Sequence, residues 1–259
     1  MDSGSICAAL IFFVVIAVFG LLKRWAPYKT PDEANTPPYE ELKRKFWKWE
    51  QLSLLPLFIF TSLLAIAWNK LLSFFAGLSY ASLGDSVFLL TPSPDYWWLP
   101  SIFLGILTAT IPLVLLFKIL LGPDYELYVV YGNLRVGFDT FRVIRLMAMV
   151  VGPVALVSSL LAMNCYTRFS DGGIIINRFL SVGAISYSYS RISAIKSVRH
   201  FKAPNGEIKD RPYFAIQFDD GEHWTTGDGL RDPDPETDRR LIEYVINRSG
   251  KQPQEVDME

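Results

Sequence analysis

The residue types able to carry chemistry are few in this 259-residue chain, and most fall in its last third. His200 and His223 are its only histidines, Cys7 and Cys165 its only cysteines. His200 follows Arg199, and His223 lies between Glu222 and Trp224, so neither histidine has metal-ligand spacing to a second donor. Asp219, Asp220 and Glu222 look like a general acid–base cluster, yet Asp-Asp-Gly between two strand-like runs is a hairpin turn and explains the same residues. Asp228, Asp232 and Asp234, set among Gly227, Gly229, Pro233 and Pro235, offer oxygen ligands to calcium if they face outside. They lack the glycine and terminal glutamate of a helix-loop-helix calcium site. With no phosphate-cradling glycine loop and no nucleophile elbow, the expectation is a protein without catalytic residues, cofactor or resident metal.

The remaining candidates are cationic. Arg191, Lys196, Arg199 and Lys202, with His200 among them, would form a basic strip able to act as an interaction surface, or a solvated face balanced by nearby acids. Lys43, Arg44, Lys45 and Lys48 cluster with Trp47 and Trp49, a pattern that serves anionic-headgroup contact or simple orientation in a membrane. Nucleic acid is not an expected partner: the 94 residues from Tyr166 onward carry 13 basic and 15 acidic side chains, with no clustered basic excess.

The elements that must hold these residues divide sharply. Uncharged apolar runs cover Ile6 to Leu22, Leu52 to Trp68, Trp97 to Phe117 and Leu146 to Cys165. At about 1.5 Å per residue, each can cross a hydrocarbon core about 30 Å thick. The first has Lys23 and Arg24 directly after it and no cleavage pattern, so it reads as an uncleaved anchor with its N-terminus outside. The residues from Lys23 to Glu50 carry seven Lys and Arg, those from Asn69 to Tyr96 only Lys70, and those from Leu121 to Arg145 three arginines. The positive-inside rule then makes the first and third connections cytoplasmic, and the second connection and the C-terminal domain external. In that topology Cys7 and Cys165 would lie at the outer ends of their spans, where a disulfide is permitted.

Within the first connection, prolines 27, 31, 37 and 38 predict an extended linker, followed by a short surface helix over Tyr39 to Trp49 with Phe46, Trp47 and Trp49 among headgroups. Lys70 is expected to snorkel from a span end, and Leu71 to Leu78 to form a re-entrant or interfacial piece. The tail predicts short strands around Tyr166–Phe169, Ile174–Leu180, Ile185–Tyr189, Ile192–Val198, Tyr213–Phe218 and His223–Thr226, read as an antiparallel meander. A helix follows, capped by Asp234, begun by Pro235 and stopped by Gly250, with Leu241, Ile242 and Val245 on one face.

A membrane span running into Cys-Tyr-Thr-Arg-Phe-Ser-Asp-Gly-Gly-Ile-Ile-Ile-Asn, then Tyr187-x-Tyr189-x-x-Ile192-x-x-Ile195, a strand ending in Asp-Asp-Gly and a C-terminal helix resembles the bacterial pleckstrin-homology-like (PH-like) domain of membrane proteins. The resemblance covers about Asn164 to Gly250 and implies a β-roll of seven strands capped by one helix. It further implies a non-enzymatic interaction or assembly module in the bacterial inner membrane. Phosphoinositide binding is not carried over, because the first hairpin turn here is Asp-Gly-Gly with only Arg168 and Arg178 nearby.

The expected architecture is therefore four transmembrane helices in residues 1–165, a mainly-β PH-like domain with one capping helix in 166–250, and a disordered tail in 251–259. Its partners would be the bilayer and another membrane or envelope protein, with self-association left open. The competing expectation is an accessory or regulatory subunit of a small transporter or channel.

Overall fold

The computed structural model describes residues 20–29, 36–181, 183–202, 208–209, 212–227 and 234–258. Two compact units are present: one draws on residues 1–70 and 99–157, the other on 71–98 and 158–259. Among the described residues, three stretches are long and apolar enough to cross a membrane: Tyr39–Ala81, Pro94–Val136 and Thr140–Met163. The first predicted span lies almost wholly outside the described residues, and the three helices correspond to the other three. Side chains such as Phe58, Leu115 and Leu160 are more than half exposed on these helices, a surface suited to lipid rather than water.

Helix α1, Tyr39–Ala81, corrects the sequence expectation most plainly. The surface helix, the second span and the apolar piece after Lys70 are one continuous helix. Glu40 and Glu41 occupy its positive first turn, and nothing between Trp49 and Leu52 breaks the backbone ladder. Its 43 residues extend about 64 Å, twice the hydrocarbon thickness. Lys70 therefore sits inside an apolar helix rather than at its end.

In the first unit, α1 packs on α3, Tyr125–Val136, which follows α2, Trp98–Leu121, after a 3-10 turn at Gly122–Asp124. Leu42 and Phe46 are each 1% exposed, against Tyr131. Phe46 thus belongs to the core and not to the headgroups, and Trp49 meets Phe117 edge-on at 6.4 Å. Tyr131 donates its hydroxyl proton to Glu50 Oε2 at 2.7 Å, and Arg135 pairs with the same carboxylate. Helix α3 ends at Gly137, whose φ of +79° only glycine adopts cheaply. Asn133 Oδ1 then accepts from Thr140 N at 3.0 Å, opening α4, Thr140–Met163. Between α1 and α2 the contact is close: Trp68 Nε1 donates to Thr108 Oγ1 at 3.2 Å, and Gly105 abuts Ala65.

In the second unit, the chain leaving α1 forms a strand that the sequence did not announce. β1, Phe88–Leu90, pairs antiparallel with β2, Tyr166–Ser170, which pairs with β3, Gly173–Asn177, and so to β4, Ile185–Tyr187. Tyr80 and Tyr96 donate their hydroxyl protons to the carbonyls of Ala162 and Ser158 at 3.0 and 3.3 Å, fastening the segment to the end of α4.

The second sheet is built on β5, Ile192–Lys202. Antiparallel to it run β6, Ile208–Lys209, and β7, Tyr213–Phe218, with β8, His223–Thr225, beyond β7. Gly221, φ +86°, closes the β7–β8 hairpin as predicted. Helix α5, Pro235–Ser249, starts at Asp234, whose carboxylate accepts from Glu236 N and Thr237 N, and ends at Gly250. Leu241, Ile242 and Val245 are at most 2% exposed in a core shared with Phe169, Ile174, Ile195 and Ile216. The expected disordered tail is instead β9, Pro253–Met258, parallel to β5. The meander is thus broken at both ends, by a strand from the loop between two helices and by a parallel strand after α5.

Candidate interaction site

The basic strip expected along Arg191 to Lys202 is not one surface. Alternation along β5 puts Lys196 and Arg199 on opposite faces of the sheet. Lys196 borders a separate depression of about 370 Å³ with Tyr213, Gln217 and His223, while Arg199 Nη2 lies 2.6 Å from Glu255 Oε2. Lys202 is the last residue of β5.

Arg191, at the end of the 3-10 turn Tyr189–Arg191, lies 2.7 Å from Asp219 and 3.0 Å from Asp220 and covers the Tyr187 ring. The acids that resembled a catalytic cluster are therefore neutralised as a hairpin clasp. The Arg191 hydrogen bond holds the Asp219 carboxyl below its ordinary value of 3.8. A depressed carboxylate stabilises the fold above its unfolded value, so this tie is lost only as the pH falls through the lowered one.

The cationic residues of α1 also separate. Lys45 is bound to Asp124 at 2.8 Å, whereas Lys43, Arg44, Trp47 and Lys48 share an exposed face one helical turn long. Among the described residues no group of three His, Cys, Asp or Glu side chains is placed to hold a metal. Asp228 and Asp232 lie outside the described residues, and Asp234 is occupied as a helix cap. Cys7 lies outside them too, and with it the pairing to Cys165.

The structure brings together a different set. Where β2 and β3 meet β8, a cleft of about 400 Å³ opens, bordered by Thr91, Cys165, Asn177, Phe179, His223 and Trp224. This volume lies within the range of small-ligand and side-chain pockets. The cleft is built by the two sheets failing to close on each other. Its floor is the bond from Trp224 Nε1 to Thr167 Oγ1, 3.0 Å and buried, the polar link between β8 and β2. At one end Arg178 donates to the His223 carbonyl at 2.7 Å and pairs with Glu222 at 2.8 Å, which blunts the edge of β8. Next to Arg178 in the chain, Phe179 rests against Tyr96, 6.2 Å between centroids. The walls mix apolar faces from Leu90, Ile176, Phe179 and Trp224 with threonine hydroxyls, Tyr166, the Asn177 amide, His223 and one guanidinium. That chemistry suits an amphipathic group held by burial and a few hydrogen bonds. The sequence signal for it was the isolated Trp224 in an otherwise polar strand, a large ring that needs both burial and an acceptor.

Trp224→Phe keeps an aromatic ring and removes the donor, so it should destabilise the domain by about 1–2 kcal/mol. Adding Thr167→Val to that variant should cost little more; a fully additive loss in a chemical-denaturation cycle would show that the two side chains are not coupled.

The chain matches no protein-family model, no curated protein and no solved structure.

Proposed function

We propose that this is an integral protein of the bacterial inner membrane whose C-terminal domain is a PH-like roll serving as a non-catalytic interaction or assembly module. The observation that carries the reading is the cleft between β2, β3 and β8, a preformed site with binding chemistry and with its ionic groups already paired among themselves. Two sheets, antiparallel except for β9, packed with one closing helix support the PH-like assignment.

β1 pairs with β2, so the loop after α1 and the domain after α4 share one side of the membrane. Residues 82–97 contain no Lys or Arg, whereas the segments around Lys43–Lys48 and Arg135–Arg145 are basic. Positive-inside bias therefore supports a periplasmic domain whose partner is another membrane or envelope protein. The exposed Lys43, Arg44, Trp47 and Lys48 face would then meet the anionic cytoplasmic leaflet.

A photoreactive residue at Phe179, with one at Arg239 on the exposed side of α5 as control, tests this in native membranes. The expected result is an adduct of fixed mass at Phe179 alone, suppressed when Thr91→Trp fills the cleft. Equal labelling at both positions, or an adduct indifferent to Thr91→Trp, refutes the cleft as the binding site.

One observation favours the second reading, an accessory subunit of a transporter or channel. Asn69 lies within the apolar part of α1, 9% exposed, and its Nδ2 has no hydrogen-bond partner among the described residues. If the module reading is right, Asn69→Leu removes an unsatisfied donor and stabilises the protein by about 1 kcal/mol or more. A lowered melting temperature in detergent would mean that the amide is engaged, by water or solute, and would favour the second reading.

A further inference from the structure

The strand β9 adds no side chain to the core of the C-terminal domain, yet it covers an edge of the longest strand there. It is the one parallel strand among the described pairings, running beside β5 from Ile195↔Pro253 to His200↔Met258. None of its residues belongs to the domain core. Pro253 and Val256 are half-buried, and Gln254, Glu255 and Asp257 are exposed. Pro-Gln-Glu-Val-Asp-Met has little strand propensity of its own, so backbone pairing with β5 creates the strand. Two side-chain ties add to it: Arg199 Nη2 to Glu255 Oε2 at 2.6 Å, and His200 Nδ1 to Asp257 Oδ1 at 3.3 Å. Both are exposed, where such pairs add selectivity more than stability.

Lifting β9 away leaves the core intact and uncovers the β5 edge over about six residues, near 20 Å of unpaired backbone donors and acceptors. That edge is already marked for charge. Arg199 and His200 receive acids two residues apart, with Val256 between them. We propose that the β5 edge is a strand-binding site for an extended acidic segment of a partner polypeptide, of the acidic–apolar–acidic type, and that Glu255-Val256-Asp257 occupies it in cis as a competing strand. β-Strand addition supplies the affinity through the main chain, and Arg199 and His200 supply the selection. The proposal rests on the domain being an interaction module, but it concerns a different surface from the cleft.

The test uses the full chain in detergent, a variant ended after Gln252, and a full-length variant with Glu255→Lys and Asp257→Lys that loosens the cis strand without deleting it. The probes are a fluorescent peptide of residues 251–258 and the same peptide with both acids replaced by lysine. Both variants should bind the acidic peptide at least about tenfold tighter than the parent chain does, and should discriminate against the basic peptide by a similar factor. Arg199→Glu placed in the shortened chain should invert that preference.

The proposal is overturned if a variant that keeps the parent's protease resistance binds neither peptide, or binds both alike. It is also overturned if the parent forms a concentration-dependent dimer that is lost on shortening, which would assign the edge to a second copy of this chain. Should the shortened chain unfold, the double-lysine variant decides between the same outcomes. Peptide failure alongside a persistent Phe179 adduct would remove this site and leave the module reading standing.

Discussion

Gly173→Ala should lower the stability of the C-terminal domain by about 3 kcal/mol or more, a large share of the roughly 5–15 kcal/mol that holds a domain folded. Gly173 opens β3 directly after the turn at Asp171-Gly172 and holds a φ of +143°, a conformation that a side chain strongly disfavours. A β-carbon there would also collide with the carbonyl oxygen of Tyr187, whose carbonyl carbon would stand 3.3 Å away. Neither obstacle can yield cheaply. The Tyr187 backbone is fixed by its pairing with Ile174, and its ring stacks on Phe218 with centroids 3.8 Å apart. Relief would pull β4 from the sheet and disturb Tyr189, which donates its hydroxyl proton to Ser170 O at 2.8 Å.

Gly172→Ala is the matched control, because the nearest atom to its added carbon is Ser170 Oγ at 4.0 Å. It should cost less than about 1 kcal/mol. Thermal unfolding of the full chain in detergent, with trypsin cleavage at Arg191 and Arg199 as the local readout, separates the two. Equal behaviour of the two variants would mean that β3 and β4 have room to move apart at Gly173.

The same glycine shows how far local pattern carries. Asp171-Gly172-Gly173 is legible as a turn, as are the Asp219–Gly221 hairpin and the Asp234, Pro235 and Gly250 boundaries of α5, because each is fixed by residues within a few positions of one another. Which of the two glycines is indispensable is not legible, since the answer lies in Tyr187, brought there by sheet pairing. β1 was missed for a related reason. Phe88-Leu89-Leu90 is too short to declare itself, and its partner strand begins some 76 residues later. β9 was missed because a polar strand has no periodic apolar signal, and its pairing rests on an edge that the rest of the domain supplies.

The helices failed in the opposite direction. Asn69 and Lys70 read as the end of a span because they are polar, but both are good enough helix residues that the backbone ladder runs through them to Ala81. Composition places the membrane; it does not end a helix. For the site, Arg191 and the Asp219–Asp220 pair were both singled out, yet that they neutralise each other depended on a turn and a hairpin meeting 28 residues apart. The cleft depends on four separate segments and had no local signature beyond Trp224.

Gly105→Leu should separate α1 from α2 and lower the melting temperature of the detergent-solubilised protein, at a cost of about 3 kcal/mol. In lipid, helices gain nothing from leaving water, and association rests on backbones approaching closely over small side chains. Gly105 provides such an approach: an added β-carbon would lie 2.8 Å from Ala65 N and 3.0 Å from Ala65 Cα. Backbone atoms of a helix cannot step aside, so the two helices must part. Parting breaks the bond from Trp68 Nε1 to Thr108 Oγ1 one turn away and leaves an indole donor without a partner in the apolar interior. Ala109, 0% exposed and one turn further along the same face of α2, would lose its packing as well.

The control is Gly152→Ala in α4, where the nearest atom is Leu107 Cδ1 at 3.8 Å, ordinary contact with the end of a flexible side chain. That change should be neutral or slightly favourable, since alanine is the better helix former. A Gly105→Leu protein that melts with the parent would show that the Ala65 crossing is dispensable, and that α1 is held by the Leu42, Phe46 and Glu50 contacts with α3 alone. A protein that melts early but keeps those contacts, read by resistance to cleavage at Lys45 and Lys48, would place the loss at the crossing itself.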